Sequence, residues 1–165
     1  MKNHPLRLVI GLCLVICFSG DLRAGSFEDG FADRQTRQYE DVFKKYRKAA
    51  EQGNSGAQSD LGAMYAKGEG VIQNYKEAVK WYRKAAEQGY AKAQLNLGNR
   101  IVKGEGIAED YIQAHKWYNL AAVNGNLYAI ENRDKLADKM TTEQQDHGTR
   151  VVDNAPLSVV RGQVV

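Results

Sequence analysis

The sequence predicts an all-α fold of stacked antiparallel helix pairs, and three observations predict it. Residues 54–89 and 90–125 repeat at a fixed offset of 36, with 16 of 36 positions identical. Ala57, Gln58, Leu61 and Gly62 meet Ala93, Gln94, Leu97 and Gly98; the run Lys67-Gly68-Glu69-Gly70 meets Lys103-Gly104-Glu105-Gly106; Trp81-Tyr82 meets Trp117-Tyr118. Chance does not gather so many identities at one offset, and a period of this length belongs to repeat arrays. Within each unit Ala78, Trp81, Tyr82, Ala85 and Ala86, and their counterparts, fall at i, i+3, i+4, i+7 and i+8, which is one apolar stripe at helical spacing. The stripes are bracketed by helix-starting and helix-ending residues. Composition agrees with a globular chain: 43% hydrophobic and 26% charged.

Residues 1–24 come first in chain order. Lys2, His4 and Arg7 make a basic start, Leu8–Phe18 is apolar, and a short polar stretch ends at Ala24. This is the pattern of a cleaved secretory signal peptide. The apolar run is far shorter than the roughly 20 residues that span a bilayer, so no permanent membrane anchor is expected. Leu22 is larger than the small residue favoured before a cut at Ala24, and cleavage after Gly20 is the alternative. Cys13 and Cys17 both lie in the apolar run. Bulky Ile16 argues against lipid attachment at Cys17, and once the signal is gone no cysteine remains for a disulfide, so stability must come from packing.

Residues 25–53 read as a partial opening repeat, because Tyr46 and Lys48–Gly53 stand one period before Tyr82 and Lys84–Gly89. Residues 54–89 are the first full repeat. Its first helix runs from about Ser55 to Ala66, with Ala57, Leu61 and Tyr65 on the buried face; its second is started by Asn74 with Glu77 as a capping pair and closed by Gly89. Residues 90–125 repeat the plan with Asp110, Gln113 and Gly125. Gly62 and Gly98 sit inside first helices, where glycine costs about 0.5–1 kcal/mol against alanine, so a close helix approach is expected to compensate. Residues 126–140 read as a capping helix, aligned through Ala129. In residues 141–165, Thr141 with Gln144 can cap one short turn, while Gly148, Pro156 and the paired valines argue against a long helix, so an irregular or disordered tail is expected, with strand addition to a partner's sheet edge as an alternative.

The pattern A-x-x-x-L-G-x-x-Y-x-x-G-x-G-V, then N/D-Y-x-x-A, W-Y and A-A-x-x-G, resembles the Sel1-like repeat, a relative of the tetratricopeptide repeat. The resemblance covers roughly residues 38–140. It implies a right-handed α-solenoid and an adaptor or regulator that binds a protein partner. One departure stands inside the pattern: Ile101 replaces the tyrosine found at Tyr65. No single helix pair can bury its stripe alone, so neighbouring pairs must cover it.

Charge and motifs exclude several functions. Three of the 23 basic residues and one of the 20 acidic residues lie in the first 24, so the formal charge falls from +3 to +1 without them. A near-neutral chain does not look like a nucleic-acid binder. The Gly-Glu-Gly tripeptides link two helices and lack the strand and third glycine of a dinucleotide fingerprint. His115 and His147 are the only histidines after residue 24, too few for a zinc site, and His115 is expected to be a partly exposed helical residue. No G-x-S-x-G or S-x-x-K occurs. An enzyme and a cofactor are therefore not expected. The paired Trp-Tyr residues read as packing, not as a stacking platform.

What remains is a binding surface. If Ala57, Leu61 and Tyr65 face inward, the opposite side of the first helices presents Ser59 and Ala63, then Leu95, Asn99 and Val102, then Glu131 and Lys135. In the tetratricopeptide class this side lines the concave face. Asn99 and Arg100 differ from their counterparts Ala63 and Met64 and are expected to make partner-specific contacts. The reading is an exported, monomeric protein-interaction module, periplasmic or secreted, with a bacterial setting favoured over a eukaryotic secretory one. The alternative from a different class is a peptidoglycan- or β-lactam-binding protein or enzyme.

Overall fold

The computed structural model describes residues 37–153 and Val159. Residues 1–24, expected to be a signal peptide, lie outside the described residues. The chain divides into Met1–Tyr39, of which only residues 37–39 are described, and Glu40–Val165, which holds the repeats. Among the described residues there are helices and no strand: α1 (residues 37–51), α2 (Ser55–Lys67), α3 (Tyr75–Glu87), α4 (Ala91–Lys103), α5 (Tyr111–Val123), α6 (Leu127–Ala137) and α7 (Thr142–Asp153).

Local chemistry sets the boundaries. Asn54, Asn74, Asp110 and Asn126 each accept a hydrogen bond from the backbone N–H three residues on, at 2.8, 3.1, 3.0 and 3.2 Å. This satisfies one of the orphan donors at each helix start. Only half of the expected capping pair forms in the first repeat. The Asn74 N–H donates instead to the Tyr65 carbonyl at 2.8 Å, tying the loop back to α2, and the Glu77 carboxylate takes the Lys80 ammonium at 2.5 Å. Gly89 and Gly125 follow α3 and α5 at φ 82° and 90°, the left-handed conformation expected of them.

The helix pairs α2–α3 and α4–α5 stack through α3–α4, and α5 continues the stack onto α6. This is an α-solenoid. One apolar cluster runs through Ala78, Tyr82, Ala85, Ala93, Leu97, Ile101, Ala114, Trp117, Tyr118 and Leu120, so the two repeats share a core. A second joins Phe43 and Ala50 of α1 to Ala57, Leu61 and Met64 of α2, with Phe43 edge-on to Tyr65 at 5.4 Å. The glycines in the first helices are explained by the packing. A Cβ on Gly62 would lie 2.8 Å from the Tyr82 ring, and one on Gly98 would lie 2.6 Å from the Tyr118 ring.

Two expectations are corrected. Residues 141–153 are not irregular: Thr141 and Gln144 form a complete reciprocal cap (Gln144 N–H to Thr141 Oγ1, 3.3 Å; Thr141 N–H to Gln144 Oε1, 2.9 Å), and α7 runs on to Asp153, packed against α5. Gly148, read as a helix breaker, is a point of close approach to α5, since a Cβ there would lie 2.6 Å from His115 Nδ1. His115 is for the same reason not partly exposed but buried, with only 5% of its surface exposed. Burial, and then the nearby Arg133, hold its pKa below the usual value, with Asp134 opposing them. Of the tail beyond Asp153, only Val159 is described.

Candidate functional site

The first helices of successive repeats, α2, α4 and α6, lie side by side. Lys92 of α4 reaches Asp60 of α2 at 2.9 Å, and the Asn132 amide of α6 donates to Asn99 Oδ1 of α4 at 3.1 Å. Asn99 Oδ1 also accepts from the Tyr118 hydroxyl at 2.8 Å. One side-chain oxygen thus takes two donors, using both lone pairs, and ties α4, α5 and α6 together. Burial pushes the Tyr118 phenol up to about 12, so it remains a donor throughout the physiological range. Between α4 and α6 opens a cleft of about 490 Å³ lined by Asn99, Val102, Tyr118, Asn132, Lys135, Leu136, Asp138 and Lys139.

The structure gathers Asn99, Val102 and Lys135 of the predicted strip around this cleft. Glu131 is exposed and holds Lys135 at 2.5 Å. Leu95 and Ala63 are half-buried against the shared core. Arg100 is half-buried, pairs with Glu105 and lies over the Tyr75 ring at 5.5 Å, so it links α4 to the start of α3 in the preceding repeat. Ser59 is a correction. It is fully buried and its Oγ has no hydrogen-bond partner, so it faces no surface on which a partner could land.

The Sel1 repeat family model matches residues 46–54, 55–90 and 91–126. The chain is a Sel1-repeat protein. The matched units begin one residue later than those read from the internal offset. Two solved structures are similar to this Sel1 array. One is c5321, described as a protective antigen present in uropathogenic Escherichia coli strains displaying an SLR fold, at 34% identity and a TM-score of 0.69 over 73% of this chain. The other is a Sel1 repeat protein from Oxalobacter formigenes, at 42% identity and a TM-score of 0.59 over 64% of this chain. The chain spans 27% of the first protein and 42% of the second. No curated protein matches it. Sel1 repeats are in general protein-interaction modules, and the family is typically non-catalytic. Among the described residues of this Sel1 protein no helix is long and apolar enough to cross a membrane. No cluster of three or more His, Cys, Asp or Glu that could hold a metal occurs among them either.

A second cleft escaped the sequence reading. It is about 970 Å³, lies against the second helices of the Sel1 repeats, and is bounded by Arg83 and Glu87 of α3, Trp117 and Leu120 of α5, His147 and Arg150 of α7, and Val159. Ile101 forms part of its lining. The departure of Ile101 from the tyrosine pattern was a signal for it, but the placing of α7 and Val159 was not legible from a period that ends before them.

Proposed function

We propose that the protein is an exported adaptor that binds a protein partner through the cleft between α4 and α6. The observation that supports the reading is the chemistry of that cleft: apolar Val102 and Leu136 beside the Asn99–Tyr118–Asn132 network and the charges of Lys135, Asp138 and Lys139. An apolar floor with a few fixed polar groups at its edge suits a peptide side chain and the main-chain groups that flank it. Export rests on the basic, apolar and polar order of residues 1–24.

Photocrosslinking in the intact envelope tests the binding site. A photoreactive residue at Lys135, which is exposed and lines the cleft, is expected to capture one dominant protein, and the same group at Lys80 on the far side of the repeat is expected not to. Equal capture from both positions would overturn the cleft assignment. Export is tested separately by sequencing the N-terminus of the protein recovered outside the cytoplasm, which is expected to begin after Ala24 or Gly20. An intact Met1 would refute it.

A further inference from the structure

A pair of side-chain amides lies apart from the α4–α6 cleft. Gln94, fully buried near the start of α4, donates one Nε2 hydrogen to the Ala86 carbonyl at the end of α3 (3.0 Å) and the other to the Val159 carbonyl (3.0 Å). Asn124, at the end of α5, donates one Nδ2 hydrogen to Gln94 Oε1 (2.9 Å) and the other to the same Val159 carbonyl (2.8 Å). All four amide hydrogens and both lone pairs of one main-chain carbonyl are accounted for. Because Gln94 Oε1 faces Asn124, its NH₂ can only face the two carbonyls, so the orientation of the pair is fixed by its own bonding.

The first repeat contains the same positions without this grip. Gln58 Nε2 donates to the Ala50 carbonyl (3.1 Å) and Gln88 Nε2 donates to Gln58 Oε1 (2.7 Å), repeating the Gln94 and Asn124 bonds one period earlier. Gln88, however, turns its remaining hydrogen back to the Lys84 carbonyl of its own helix (3.4 Å). Asn124 is one methylene shorter, and its remaining hydrogen goes outward to Val159. Two further differences between the repeats line the cleft of about 970 Å³ that Val159 also borders: Ile101 stands for Tyr65 and Leu120 for Lys84, which removes a ring and a charge from that wall. The Val159 side chain packs against this core cluster.

We infer that Gln94 and Asn124 form a peptide-binding site that grips one main-chain carbonyl of an apolar residue, and that the chain's own Val159 is its occupant. Recognition of a main-chain carbonyl does not depend on the residue that carries it, and the Ile101 and Leu120 lining selects an apolar neighbour. Any peptide entering from another molecule must displace the resident Val159, so that residue is a built-in competitor.

Two measurements on the full chain test this. Backbone hydrogen exchange at Val159 is expected to be at least tenfold slower than in the free peptide of residues 154–165, and Asn124→Asp, which replaces a donor with a charged acceptor, is expected to remove that protection while the helical circular dichroism stays intact. Exchange at the free-peptide rate in the unmodified chain, or protection that survives Asn124→Asp, would overturn the inference. The second measurement does not depend on whether Asn124→Asp folds. Val159→Asp lies outside the repeats and should vacate the site, so a labelled peptide of residues 154–165 is expected to bind that variant at least tenfold more tightly than the unmodified chain. Equal binding to both would overturn the inference, as would an unmodified chain that runs as a dimer and separates on Val159→Asp, which would place Val159 on a second copy.

Discussion

Replacing Gly98 with alanine tests the packing logic at its tightest point. The new Cβ would lie 2.6, 2.8 and 3.2 Å from Cε1, Cδ1 and Cζ of the Tyr118 ring. Unstrained carbon atoms rest about 3.5–4.0 Å apart, so the ring would have to retreat by roughly 1 Å. It has little freedom to do so. Tyr118 is only 3% exposed, and its hydroxyl is held at 2.8 Å by Asn99, the residue next to the substituted one. Overpacking of this kind costs about 1–3 kcal/mol, and loosening the hydroxyl's bond adds about 0.5–1.5 kcal/mol. Alanine's helical advantage over glycine returns about 0.5–1 kcal/mol. The net expectation is a loss of about 1–3 kcal/mol. Urea denaturation followed by far-UV circular dichroism measures it, and the thermal midpoint should fall by roughly 4–12 °C for an array of this size. Gly98→Ala combined with Tyr118→Leu should lose less than the sum of the two single changes, by about 1 kcal/mol or more, because the clash is absent in the double variant. A Gly98→Ala protein as stable as the parent, or strict additivity in the cycle, would refute the argument.

Substitutions at Ser59, Asn99 and His115 probe the polar groups packed into the array. Ser59→Ala should stabilise the protein by about 0.5–2 kcal/mol, since it removes a buried hydroxyl without a hydrogen-bond partner and adds a better helix former; a lower denaturation midpoint would contradict this. Asn99→Ala should cost about 1–2 kcal/mol by leaving the Tyr118 hydroxyl and the Asn132 amide without their shared acceptor, with Tyr118→Phe recovering part of the loss; calorimetry of the single and double variants checks it. His115 has a pKa held below its ordinary 6.5 in the folded state, so the unfolded chain binds the proton more readily. Its contribution to stability is therefore present above that value and lost as pH falls through the lower folded value. The ring accepts at Nδ1 from the Asn119 amide at 3.1 Å, and a protonated ring would lose that bond and carry its charge toward Arg133. The thermal midpoint should drop between about pH 7 and about pH 5 more in the parent than in His115→Gln, and parallel curves would rule out the assignment.

The repeats were legible because each identity has a mechanical reason. Gly62 and Gly98 answer Tyr82 and Tyr118 across the helix pair, Asn74 and Asp110 start helices, and Gly89 and Gly125 end them. The strip of first-helix residues was partly legible. Counting along the helix found Asn99, Val102 and Lys135, which share a cleft, but it also placed Ser59 outside, where a helix flanked on both sides buries more of its circumference than one stripe. The region after Met140 was misread because propensity was the only guide there. Gly148 weakens an isolated helix, yet in α7 it is the residue that lets the helix close on His115, and that contact lies 33 positions away in sequence. The Gln94–Asn124 pair was visible as letters; its meaning needed the Val159 carbonyl, which no period predicts.

The loop glycine Gly106, at φ 77°, rests directly on the peptide unit of Tyr75 at the start of α3, so that a Cβ there would collide with main-chain atoms. The spacing between one repeat and the next is in this way gauged by backbone lying on backbone. Side chains elsewhere on the array can drift in sequence without altering that gauge, which leaves the outer positions free to diversify toward new ligands while the pitch of the stack is inherited unchanged.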